Sequence, residues 1–199
     1  MARFGTQLSM LSLNDSIDQF WTRAKEKDPT VQWSDLRLWK MDLRGPYHFI
    51  SFRRSDAGLF GMELTGDLMY LQIAGIFGWS STPAAFQVIT RAIQWELKHL
   101  LHSRILMYVE DIIGVCFAKD IVCDLAVTRN VCSRLLGSIA VADDKPETGT
   151  RVDILGYTVD LTTHSVIIAK KNFLNTIYGF LEVDLTAPIS LTEAQRLAS

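Results

Sequence analysis

The sequence predicts an α+β domain in which a central antiparallel sheet is covered on one face by two helices. Its clearest mark is Arg104 to Phe117, RILMYVEDIIGVCF, where two apolar, β-branched runs flank Glu110-Asp111. That is the pattern of a hairpin with a tight turn. Two amphipathic spans, Thr82 to Leu101 and Asp120 to Leu136, stand either side of the hairpin with apolar residues at helical spacing. A further strand, Leu36 to Leu43, lies well upstream with another hairpin in between. The short βα repeats of a doubly wound sheet are therefore missing, and the helices fall to one side of an antiparallel sheet.

The 199 residues are 48% hydrophobic, enough to bury a core within one domain. A formal net charge of −2 supplies no global pull toward nucleic acid, so any such binding rests on local basic clusters. Cys116, Cys123 and Cys132 are odd in number and none sits in a C-x-x-C pair. Buried thiols in a reducing compartment are expected, with neither a disulfide framework nor a zinc site indicated. No apolar run reaches the length of a membrane span, and Met1 to Leu13 is interrupted by Gly5, Thr6 and Gln7, where a signal peptide is continuously apolar. The expectation is a soluble intracellular protein that does not engage a membrane.

Taken in order, Asn14 to Lys27 reads as a helix capped by Asn14 or Asp15, with Ile17, Phe20, Trp21 and Ala24 on one face. The strand Leu36 to Leu43 delivers Asp42, and Pro46 opens a short helical segment that carries Tyr47 one turn beyond it. On local pattern alone Tyr47 is a core aromatic. Arg53-Arg54 is an adjacent arginine pair suited to solvent or to a phosphate. Gly58 to Ile73 reads as two strands around Thr65-Gly66-Asp67. Gly75 to Pro83 is a Gly- and Ser-rich loop feeding a helix capped by Thr82, and a loop of that kind can receive an anion. The helix should bury Ala85, Ile89, Ala92, Ile93, Leu97 and Leu100. After the second helix, Asp143 to Gly149 reads as a loop and Arg151 to Asp160 as one strand centred on Leu155-Gly156-Tyr157. A turn at Leu161 to Ser165, a returning strand at Val166 to Ala169 and a helix at Lys170 to Leu181 follow. Ser190 to Glu193 is a capping box that opens one more helix.

Carboxylates at a strand-turn-strand corner suit hard cations, because magnesium takes oxygen ligands from one or two carboxylates plus substrate phosphates. Glu110 and Asp111 supply two, and Asp42 on a neighbouring strand is the natural third. Alone, Glu110-Asp111 is an ordinary solvated turn. Three carboxylates around one point oppose folding unless a metal neutralises them, and that is the arrangement of two-metal phosphoryl transfer.

Four blocks, LWKMDLRGPYHFISF, GIFGWSSTPAAFQVI, ILMYVEDIIGVC and the DDK loop with DILGYTVD, occur in an order and spacing that resemble the palm of reverse transcriptases, most of all those of retrotransposons. The resemblance covers about Trp33 to Ala169. It implies an RNA-directed DNA polymerase domain over 1–199, with residual fingers over 1–31, a palm over 32–169 and the start of a thumb over 170–199. It also implies two Mg²⁺ ions, which Mn²⁺ could replace, held by Asp42, Glu110 and Asp111. Tyr47 matches the aromatic gate that excludes a ribose 2′-hydroxyl, and Phe77 and Gly78 match the loop beneath the incoming deoxynucleoside triphosphate. Lys145 falls on the lysine that protonates the leaving pyrophosphate. Leu155, Gly156 and Tyr157 match the hairpin that grips the primer on its RNA or DNA template.

Two departures stand out. Glu110 occupies a position where the family carries Asp, and Pro46 one where it usually carries a small residue. A misplacement of about 1 Å in such a site costs about 10²-fold in rate, and one methylene moves a carboxylate by about that much. The second functional reading is therefore a nucleic-acid-binding or interaction module that keeps the palm fold without turnover.

Overall fold

The computed structural model describes residues 2–66, 68–76, 81–142 and 146–181. A long helix α1 (Ala2–Lys27) precedes strand β1 (Leu36–Asp42) and a short 3-10 turn at Pro46–Phe49. A hairpin of β2 (Gly61–Thr65) and β3 (Leu68–Leu71) leads to helix α2 (Ser81–Leu100). Strands β4 (Arg104–Tyr108) and β5 (Asp111–Phe117) form the acidic hairpin, and helix α3 (Ile121–Leu136) follows. Then come β6 (Glu147–Gly149), β7 (Arg151–Ile154), β8 (Tyr157–Asp160), β9 (Ser165–Ile168) and helix α4 (Lys170–Leu181).

The central sheet runs in the order β4-β5-β1-β6, antiparallel throughout. As expected for the α+β class, α2 and α3 cover one face. Trp39, Met41, Ile112 and Cys116 of the sheet pack there with Phe86, Ile93 and Leu97 of α2 and Val131 and Cys132 of α3. The second face is covered too. Leu36, Leu38, Ile113 and Val115 meet Leu13, Ile17 and Phe20 of α1, together with Val152, Ile154 and Val159 of a separate β7-β8-β9 sheet. The alternation of side chains along each strand explains how one sheet feeds two cores.

The structure corrects several sequence expectations. Helix α1 begins before Asn14, so neither Asn14 nor Asp15 caps it. Leu13 is 1% exposed one turn before Ile17, and its packing holds the helix through residues that favour caps in isolation. Helix α2 starts at Ser81 and is rotated from the expected face: Thr82, Phe86, Thr90, Ile93 and Leu97 are buried, whereas Ala85, Ala92 and Leu100 are exposed. Counting only apolar residues misplaced that stripe because threonine takes two of its positions. Glu147–Gly149, read as loop, pairs with Leu38–Lys40 as the sheet's edge. Arg151 to Asp160 is two strands, not one, because Leu155 (φ 50°) and Gly156 (φ 85°) make a two-residue turn with positive φ at both positions. Cys116 and Cys132 are buried as expected, but Cys123 is exposed. Burial pushes both buried thiols up to about 12, so they stay protonated and inert. The capping box at Ser190 lies outside the described residues, and among those described no helix is long and apolar enough to cross a membrane.

One close approach locks the sheet to its helices. Gly114 lies opposite Trp39, and a Cβ there would run into the indole ring. The ring is fully buried, and its Nε1 donates to Ser103 Oγ at 3.0 Å. Ser103 Oγ in turn bonds Asp124 Oδ2, and the backbone N–H groups of His102 and Ser103 donate to the same carboxylate at 3.3 and 3.0 Å. Asp124 is thus a fully buried acid on α3 satisfied by several donors, which ties that helix to the β4 entry. Gly114→Ala should cost about 1–3 kcal/mol by overpacking against Trp39. Urea unfolding followed by tryptophan fluorescence checks it, and an unchanged midpoint would show that the ring can move aside.

Candidate active site

The candidate site is assembled at the end of the β1–β5 pair. Seven consecutive residues pair in register from Leu36 with Phe117 to Asp42 with Asp111, so the two aspartates are direct cross-strand partners. They share the sheet face of Leu38 and Ile113. The ladder also runs past them: Leu43 N donates to Glu110 O at 2.9 Å and Ala142 N to Asp42 O at 3.0 Å. Asp42 is therefore pinned by backbone bonds on both sides.

Between the aspartates sits a residue that sequence reasoning missed. Lys40 Nζ lies 3.1 Å from Asp111 Oδ1 and 3.4 Å from Asp42 Oδ1. The available signal was the period of a strand, since Lys40 is two residues from Asp42 and shares its face. Asp111 is mostly buried and Asp42 half exposed. Burial, then the hydrogen bond with Asp42, push the Asp111 carboxyl up to about 6, and Lys40 only partly opposes them. For Lys40 burial is the largest single influence and pulls its ammonium down, but the two carboxylates outweigh it and hold the group above the usual lysine range.

The other predicted residues are placed as follows. Glu110 stands in the turn beside Val109, and among the described residues no three acidic, His or Cys side chains converge as a metal-ligand group. The pair Asp42/Asp111 forms and the expected trio does not. Tyr47 is half-buried, edge-on to Phe86 at a centroid distance of 6.2 Å. A Cβ on Gly75 would meet the Tyr47 backbone O at 2.8 Å, so that glycine is what lets the loop pass this close to the Tyr47 backbone. Burial and then the charges of Glu110 and Tyr108 push the Tyr47 phenol up. Leu155, Gly156 and Tyr157 form the turn of the second sheet, with Ala169 N donating to Gly156 O at 3.0 Å. Arg53 and Arg54 are exposed. Phe77, Gly78 and Lys145 lie outside the described residues.

Two carboxylates are a donor set that suits magnesium, and a cation already stands between them in the form of Lys40. The residues present fit one divalent ion at Asp42 and Asp111.

No family model and no curated protein matches the chain. Solved structures do. The fold is similar to the foamy viral protease-reverse transcriptase in complex with RNA/DNA hybrid, at a TM-score of 0.56 and 15% identity over 84% of this chain. It is similar also to the foamy viral protease-reverse transcriptase dRH in complex with ds DNA, at a TM-score of 0.56 and 15% identity over 81% of this chain. This chain spans 21% and 26% of the length of those two. At this identity the likeness is one of fold, and it agrees with the α+β architecture read from the sequence.

The raised Asp111 group makes a pH prediction with a definite sign. Between about pH 4 and pH 6 the folded chain keeps a proton on Asp111 that the unfolded chain has released, so stability should fall as pH rises through that window. Urea midpoints measured across pH 4 to 7 should show that decline in the parent and lose it in Asp111→Asn. Equal slopes would mean that Asp111 titrates like a solvated carboxylate.

Proposed function

We propose that this chain is the palm of a reverse transcriptase of retrotransposon type, an RNA-directed DNA polymerase centre that adds deoxynucleotides to a primer 3′-hydroxyl. The observation that carries the reading is the cross-strand pairing of Asp42 with Asp111 at the end of the β1–β5 pair, in a chain whose fold is similar to a reverse transcriptase's. Bound magnesium, or manganese in its stead, supplies a Lewis acid that neutralises phosphate charge and favours a deprotonated hydroxyl. Asp42 and Asp111 would hold it. Glu110, on the turn, is the carboxylate available for a second ion.

The remaining work falls to positioning, which dominates catalysis in phosphoryl transfer. The Tyr47 ring packs edge-on against Phe86, and the Tyr47 backbone passes close to the loop at Gly75. A fixed ring wall is what rejection of a ribose 2′-hydroxyl requires. The tight turn at Leu155-Gly156, followed by Tyr157, offers a narrow edge suited to pressing a primer strand. Phe77 and Gly78 beneath the nucleotide, and Lys145 as proton donor to pyrophosphate, enter from the sequence resemblance alone. Pairing with an RNA or DNA template would choose the base.

One observation favours the second reading, a nucleic-acid-binding or interaction module without turnover. Glu110 replaces the family's Asp, and its carboxylate does not converge with the other two.

Primer extension on an RNA template with Mg²⁺ and then Mn²⁺ separates the readings. Under the enzyme reading the parent extends the primer, Asp42→Asn abolishes extension, and Glu110→Asp raises it by up to about 10²-fold. Silence from a folded parent and a folded Glu110→Asp, with primer-template binding retained, would establish the module instead.

A further inference from the structure

Lys40 has no role in the mechanism above, yet it occupies the centre of the site. Its side chain is 21% exposed and Asp111's 17%, so their ion pair is largely dry, while Asp42 remains open to solvent at 51%. Two ionised carboxylates brought together as cross-strand partners repel each other, and the single ammonium between them offsets that repulsion. Lysine suits a temporary version of this task. Its four-carbon stem lets Nζ leave without backbone movement, whereas the planar fork of arginine would clamp both carboxylates.

A place for Lys40 to go is also built into the sheet. On its other side β1 pairs with β6, and the cross-strand partner of Lys40 there is Glu147, an exposed carboxylate. Cross-strand partners point to the same face with Cβ atoms about 5 Å apart, within reach of a lysine side chain. Lys40 therefore has an acidic partner on each flank, the aspartate pair toward β5 and Glu147 toward β6.

We infer that Lys40 is a displaceable internal counter-cation, which holds Asp42 and Asp111 together in the metal-free chain and yields their oxygens to a divalent cation by moving toward Glu147. This rests on the reading of Asp42 and Asp111 as metal ligands. The consequence is that metal affinity is set by a competition within the protein. A divalent ion held by Asp42 and Asp111 would repel an ammonium held by the same two carboxylates, so each would weaken binding of the other. The empty site never presents two bare carboxylates, and the filled one keeps Lys40 paired.

The test is Mn²⁺ binding to the full chain at pH 8, followed by electron paramagnetic resonance, with thermal unfolding in the absence of metal as a second readout. Lys40→Met should bind Mn²⁺ about tenfold tighter than the parent and melt at a lower temperature until Mn²⁺ is added. Lys40→Arg keeps the charge and guards against loss of fold, and it should bind Mn²⁺ more weakly. Glu147→Gln should also weaken binding, because the displaced ammonium loses its partner. The Asp42→Asn arm tells the two levels of failure apart. If Asp42→Asn abolishes Mn²⁺ binding while the Lys40 variants bind like the parent, the counter-cation role is overturned and the metal site stands. If Asp42→Asn leaves binding unchanged, or the parent binds no Mn²⁺, the metal reading falls and the inference falls with it.

Discussion

The structure depends on the register between β1 and β5. Seven unbroken cross-strand partners, from Leu36 with Phe117 to Asp42 with Asp111, set which residues of both strands face α1 and which face α2 and α3. A slip of one residue would turn Leu38, Ile113 and Val115 out of one core and Trp39 and Ile112 out of the other. It would also press a side chain into the indole of Trp39, which passes over the backbone only at Gly114. The register that buries both cores is the same register that sets Asp42 opposite Asp111. Stability and site geometry are one constraint here, so the backbone alone sets where the two aspartates stand.

That economy creates an electrostatic problem, and the solution is local. A sheet covered on both faces carries its burial almost to the strand ends, where Asp111 is far less exposed than Asp42. Burial alone pushes the Asp111 carboxyl toward neutrality, and its neighbour pushes the same way. Lys40 counters both because a strand returns to the same face every second residue. Its ammonium reaches the carboxylates from within the sheet, so the compensation cannot be lost by movement of a loop.

Most of the fold was legible because its signals are local. The acidic hairpin, the strand ending at Asp42, the Pro46 turn, α3 and α4 were all visible in composition and period. What escaped was tertiary. The burial of Thr82 and Thr90 in α2 cannot be seen by counting apolar residues, since it depends on the core beneath them. The covering of the second sheet face depends on α1 and on β7 to β9, elements distant in sequence from the strands they cover. Glu147–Gly149 is a strand only because β1 presents an edge to it. The same limit applied to the site. Asp42 was legible as a strand-end carboxylate, whereas Asp111, read as a turn residue with Glu110, begins β5, and Lys40 gained its meaning only from the register that brings Asp111 beside it.

The three carboxylates differ in how the backbone holds them, and this explains why two meet and one does not. Asp42 and Asp111 belong to paired strands, so the ladder fixes both their separation and their face. Glu110 belongs to a two-residue turn entered through Val109 at φ 50°, where a tight hairpin ordinarily has glycine. A β-branched residue there carries strain of about 1–3 kcal/mol, which the partial burial of Val109 against the α2 and α3 core helps to offset. The Glu110 carbonyl accepts from Leu43 N and extends the β1 ladder past Asp42. The backbone of Glu110 thus works for the pair, while its side chain lies outside the alternation that aligns them. Its longer side chain can reach toward the pair from a pinned backbone, but no strand ladder sets its direction. A third carboxylate contact at this site would therefore require the Glu110 side chain to swing toward the pair, because the sheet does not hold it there.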